Sequence, residues 1–160
     1  MQPEKIYVQK IAGDGLAEAE VKELGADFGF YGMEIPFVLA ADVKEPSKND
    51  WKDEDGDDEY LPAEGLRLSA FDFELKLGYK GSRDSANARL EALLEYLTGR
   101  DGTGPRFKIY STYTGKGYND VRFSGLSDDA ELVRDDGGDI LVVTITLKVN
   151  DPATRVVLGS

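Results

Sequence analysis

Asp53, Asp55 and Asp57 alternate along the run Asp53-Glu54-Asp55-Gly56-Asp57-Asp58-Glu59, and Glu64 follows at the twelfth position counted from Asp53. Alternating carboxylates closed by a glutamate at that spacing form the ligand pattern of an EF-hand calcium loop. The pattern fails where its geometry is strict. Its sixth position turns sharply and takes glycine, but Asp58 stands there, and Pro62 precedes the closing glutamate. The segment ahead of it, Pro46 to Lys52, does not read as a helix. The run is therefore read as a solvated acidic loop that holds no metal.

Other chemistry is narrowed by what the chain lacks. It has no histidine and no cysteine, which removes Ser-His-Asp triads, His-ligated zinc, thiolate metal sites and disulfides. Carboxylates are so abundant, 31 acidic residues in 160, that no pair stands out as an acid–base couple. The glycines at Gly99 to Gly104 and Gly115 to Gly117 do not make a phosphate loop, since the first run lacks the Lys-Ser/Thr ending and follows no strand. Tyr110, Tyr113 and Tyr118 cluster around one turn and read as cross-strand packing rather than a ligand platform. No catalytic residue and no cofactor is assigned.

Charge sets the class of partner. With 19 basic residues against the 31 acidic ones, the net charge is −12. Such a chain does not grip the outside of nucleic acid or an anionic membrane, both of which need a basic face. It does not argue against a surface past which DNA slides without sticking, because like charge repels. No apolar run reaches transmembrane length, and the N-terminus lacks a signal-peptide core, so the expected place of action is the cytoplasm or a particle assembled there.

The elements that would position any site alternate mainly with a period of two. Phe71, Phe73, Leu75, Leu77 and Tyr79 are separated by Asp72, Glu74, Lys76 and Gly78. That is a strand with one buried face. Upstream, Leu66, Leu68 and Ala70 alternate in the opposite phase, so a bulge or bend is expected near Ser69–Ala70. A strand over Leu66 to Tyr79 spans roughly 45 Å, long enough to reach a neighbouring subunit. Its polar face is lightly charged, and Leu66, Leu68, Asp72, Glu74 and Lys76 are candidate oligomer contacts, with Trp51 from the acidic loop.

Elsewhere, strands are expected at Lys5 to Ile11, Ile35 to Ala41, Arg106 to Tyr113, Tyr118 to Leu126 and Ile140 to Val149. In the third of these, Phe107, Ile109 and Tyr113 share a face. Asn150-Asp151-Pro152 is expected to end the last one, because proline removes a ladder donor. Leu16 to Leu24 reads as a helical turn or two, or equally as extended chain. Val43 to Glu59 reads as a long exposed loop that holds Trp51. Ser85 to Leu97 is the clear helix: Ala86, Leu90, Leu93, Leu94 and Leu97 form one apolar stripe, Asp84 or Ser85 caps it, and Gly99 closes it. The sum is a single α+β domain over residues 1–160, a mostly antiparallel β-sandwich or open barrel with one flanking helix and an exposed acidic loop at about residues 43–60.

This layout resembles the tail-tube and distal-tail proteins of tailed phages, of the type encoded by prophages of Bacteroides-like bacteria. The residues that carry the resemblance run from Val43 to Leu158. They are Trp51 followed by the acidic-glycine segment and Tyr60-Leu61-Pro62, the long strand closed by Lys80-Gly81, the lone helix, the Phe107 to Tyr110 strand, and the Ile140 to Val149 strand running into Asn150-Asp151-Pro152. The resemblance implies a structural, non-enzymatic protein of the virion tail, assembled in the host cytoplasm. It also implies a homo-oligomeric ring, a hexamer, that joins other tail proteins around a channel through which DNA passes without specific binding and without a membrane. A binding module built on the acidic loop, or a tube component of a contractile secretion system, is the alternative.

Overall fold

The computed structural model describes residues 5–11, 19–34, 42–46, 48–49, 52, 55–56, 58–127, 130–134 and 138–158. The strand expected at Ile35 to Ala41, as well as Trp51, Asp53 and Asp57, lies outside them.

Eight strands form one sheet in the order β2-β1-β7-β8-β10-β6-β3, with β9 also paired to β10. These are β1 (Ile6–Lys10), β2 (Val21–Glu23), β3 (Tyr31–Glu34), β6 (Phe71–Gly81), β7 (Phe107–Ser111), β8 (Lys116–Leu126), β9 (Glu131–Val133) and β10 (Asp139–Arg155). A separate two-stranded hairpin pairs β4 (Lys48–Asn49) with β5 (Asp58–Glu59). All pairings are antiparallel. The large sheet curls into a half-barrel, and the helix α1 (Arg83–Thr98) lies across its concave face. The architecture is the expected α+β one.

The spine is β6 against β10, eleven residues in unbroken register from Phe71↔Val149 to Gly81↔Asp139. Their alternation is complementary. Phe73, Leu75 and Leu77 meet Leu147, Ile145 and Val143 on the concave face, all buried. Ile6, Val8, Phe107, Ile109, Tyr118 and Val121 extend that layer across β1, β7 and β8. Tyr118 takes Phe71 edge-on at a ring-centroid distance of 5.3 Å and Phe73 at 5.7 Å.

The helix covers this layer with Ala86, Leu93, Tyr96 and Leu97, while Leu90 and Leu94 are only half-buried. Its N-cap is Ser82, which accepts a hydrogen bond from the Ser85 amide at 3.2 Å, so the helix begins before the expected Asp84 or Ser85. At the other end Gly99 has φ 78°, and a Cβ there would sit 2.2 Å from the Gly104 carbonyl carbon, so only glycine fits.

Three further expectations are corrected. The long strand starts at Phe71, because Leu66 to Ala70 turn away at the phase change; Leu68 makes an isolated bridge to Val43 instead. The last strand does not stop at Pro152. It runs on to Arg155 through a register shift against β8 between Asp151 and Arg155, where a missing N–H costs no ladder bond. The Asp151 carboxylate accepts the Ala153 and Thr154 amides and shapes that bulge, and the Asn119 amide holds it below the usual carboxylate range. Tyr113 is not on a strand face: β7 ends at Ser111, and Tyr113 is 67 % exposed in the turn that follows. Of the two readings of Leu16 to Leu24, the extended one holds at Val21 to Glu23, and the chain then makes a short π-helical turn over Leu24–Phe28, closed by Gly29 at φ 82°.

Candidate assembly surface

The candidate contact residues fall into two groups. Asp72, Glu74 and Lys76 alternate with the buried residues of β6 and therefore stand on the convex face of the sheet; Asp72 and Glu74 are exposed and Lys76 is half-buried. Register places Lys148 and then Arg122 across from Asp72, and Thr146 across from Glu74. This half of the convex face is thus polar and of mixed charge. Leu66 and Leu68 do not share it. They belong to the segment that leaves β6 and pairs with Val43, where Lys44 donates to the Arg67 carbonyl and Ser69 to that of Asp42.

That segment and the β4–β5 hairpin frame an open groove of about 250 Å³ lined by Lys44, Pro46, Tyr60, Pro62, Leu66 and Arg67, with Glu45 and Glu64 at its margin. Tyr60 and Leu61, at the foot of the hairpin, are 70 % and 61 % exposed. In the hairpin, Asp58, at the sixth position of the calcium pattern, is extended in β5 opposite Asn49, and Gly56 at φ 79° sits two residues earlier. Among the described residues no group of three or more carboxylates converges on a metal position.

The other half of the convex face is apolar. Gly78 leaves a gap that Met33 crosses, for a Cβ on Gly78 would lie 2.9 Å from the Met33 Sδ. Tyr31 pairs with Gly78, Val142 lies across from it on β10, and Ile140 pairs with both Lys80 and Val133. Tyr31 is 48 % and Met33 54 % exposed, and Val133 is exposed too. Sequence reasoning missed this patch because it straddles three short or interrupted stretches. The signal that was present is Gly78, the one position in the Asp72-Glu74-Lys76 series with no side chain.

A second feature missed from sequence is Lys10, buried at the C-terminal end of the helix. Its Nζ donates to the carbonyls of Tyr96 and Gly104, and lies 4.4 Å from the centre of the Tyr96 ring. The Tyr96 carbonyl also accepts the Gly99 amide at 3.2 Å, and Gly104 lies beyond the helix, so Lys10 ties the end of the helix to the turn that follows it. Burial pulls its pKa down to about 8, against a partial pull upward from Asp101. Ile6 and Val8 precede it at period two, so the alternation did put Lys10 on the core face. Tyr96 stacks on Phe28 at 5.1 Å, and burial pushes its hydroxyl up to about 12. These groups hold the helix to the sheet.

The geometry defines a half-barrel scaffold of long paired strands covered by one helix. No protein-family model matches the sequence, and no curated protein matches it. Among solved structures, the chain is similar to the crystal structure of the SPP1 Dit (gp 19.1) protein, described as a paradigm of the hub adsorption apparatus in phages that infect Gram-positive bacteria. The TM-score is 0.53 and the identity 19 %, over 92 % of this chain and 50 % of that one. The chain thus spans about half the length of that structural neighbour. At this identity the likeness establishes a shared fold. Among the described residues no helix is long and apolar enough to cross a membrane.

Proposed function

We infer that this chain is a structural, non-catalytic component of a phage tail that assembles as a homo-oligomeric ring around the DNA channel, with other tail proteins as its neighbours in the virion. The observation that carries this reading is the superposition of nine-tenths of the chain on half of a tail hub protein. Two properties of the chain support it. The exposed features are surfaces, and the described residues bring together no nucleophile, base and oxyanion donors. The charge of −12 lets DNA pass a wall without being held. Trp51, Leu66, Leu68, Asp72, Glu74 and Lys76 are the proposed subunit contacts, and a hexamer is the expected closure.

Light scattering over a concentration series, with negative-stain microscopy of the same samples, tests the reading. Closed rings of one size are expected at high protein concentration. A chain that stays monomeric at every concentration, alone and with tail proteins encoded beside it, overturns it.

A further inference from the structure

The chain between β4 and β5 carries Asp55-Gly56. An aspartate followed by glycine can cyclise onto its own backbone, because glycine has no side chain to shield the attacking nitrogen. The sequence holds four such pairs. Asp55–Gly56 and Asp101–Gly102 lie among the described residues, and Asp14–Gly15 and Asp136–Gly137 lie outside them. The two described pairs differ sharply. Asp101 is locked: its Oδ1 accepts the Thr103 amide at 3.0 Å and the Thr103 hydroxyl at 2.5 Å, and the Gly102 amide donates to the Gly99 carbonyl at 3.1 Å. Its turn is tied down further by Lys10, which donates to the Gly104 carbonyl. Asp55 and Gly56 are both exposed, and neither has a hydrogen-bond partner among the described residues. Gly56 has φ 79°, and nothing lies within 4 Å of the place its Cβ would take, so no neighbour stands in the way of ring closure.

We propose that Asp55 is a site of spontaneous backbone isomerisation in the folded protein, and that Asp101 is protected from the same reaction. The Gly56 nitrogen attacks Cγ of the Asp55 carboxyl group. The N–Cγ bond forms, the Cγ–OH bond breaks, and the hydroxyl leaves with the amide proton as water. The product is a five-membered succinimide. Water then opens the ring at one of its two carbonyls. Opening at Cγ restores aspartate; opening at the main-chain carbonyl leaves Gly56 bonded through Cγ, which is isoaspartate. Water is the only co-reactant, and the final mass equals the starting mass. Isoaspartate adds one carbon to the main chain between Asn49 and Asp58, which β4 and β5 hold opposite each other. The change therefore falls within the hairpin whose foot carries the exposed Tyr60. The inference does not depend on the ring reading above.

Ageing the full chain at physiological temperature in mildly acidic buffer tests this, because the neutral acid is the form that loses water. Peptide mapping then locates isoaspartate, read by enzymatic methyl transfer from S-adenosylmethionine to its free carboxylate. Isoaspartate at Asp55 is expected to build up on the order of tenfold faster than at Asp101, since Asp101 must first give up the hydrogen bonds that hold it. In chain unfolded by urea the two sites are expected to react at similar rates. Asp55→Glu, whose imide ring would have six members and closes far more slowly, is expected to lose the signal at this site alone. Equal rates at the two sites in the folded chain overturn the proposal. So does an Asp55 that reacts only when the chain is unfolded, or a signal that persists in Asp55→Glu.

Discussion

At the residue scale the informative groups are polar ones inside the core. The Tyr96 hydroxyl is buried and has no hydrogen-bond partner among the described residues. A buried donor left unpaired costs about 1–3 kcal/mol, and phenylalanine keeps the ring that stacks on Phe28 and covers Lys10. Tyr96→Phe is therefore expected to raise stability by about 1 kcal/mol in urea unfolding, with the m-value unchanged. Lys10 predicts a pH dependence. Its folded pKa of about 8 lies below the model-peptide 10.5, so between those values the unfolded chain binds more protons and stability rises with pH. Measured against Lys10→Met, the wild-type protein is expected to gain about 2 kcal/mol between pH 8 and pH 10, and the two curves should run parallel below pH 7. Lys10→Met also removes the donor to the Tyr96 and Gly104 carbonyls, so the informative quantity is the slope rather than the offset.

At the scale of elements, the helix gives the clearest stability test. Leu93 is fully buried and Leu94 is half-buried, although both belong to the apolar stripe of the sequence. Leu93→Ala is expected to cost about 2–5 kcal/mol, and Leu94→Ala less than half as much, by thermal or urea unfolding. The stripe gave the helix and its covered side, yet a period of 3.6 spreads five residues over an arc wider than the contact. Tyr96 lies about 60° round the helix from Leu93 on the side away from Leu94, so the buried arc is rotated from the stripe read in sequence. The strands divide in the same way. The central part of β6 and most of β10 were legible because each has one wet face, so period two is written directly into residue type. β9 and the β4–β5 pair were not, since two or three residues show no period. Pro152 misled because the ladder rule holds only where an N–H is needed, and a bulge supplies a place where it is not. The acidic hairpin was legible as exposed and acidic but not as paired. With Asp58 held extended in β5, calcium titrated calorimetrically at micromolar concentration is expected to give no binding heat.

At the scale of the whole molecule, two electrostatic effects oppose each other, and their ranges decide which governs assembly. Copies of a chain with charge −12 repel one another as they approach, and that repulsion acts over the whole body. A salt bridge at the exposed rim of a subunit contact is attractive but local, and worth about 0–1 kcal/mol. Burial of exposed apolar side chains such as Leu66, Tyr60 and Leu61 in a contact does not depend on ionic strength to first order. Salt that shortens the screening length from about 30 Å at 0.01 M to about 8 Å at 0.15 M removes most of the repulsion between bodies while leaving the contact's apolar part intact. Assembly is therefore expected to strengthen as salt rises over that range, the opposite of a contact held by charge pairs. Light scattering at fixed protein concentration across the salt series reads this directly. Leu66→Asp is expected to weaken the association at every salt concentration, because it places an unpaired charge among the proposed subunit contacts, whereas Lys76→Gln should shift the curve only slightly.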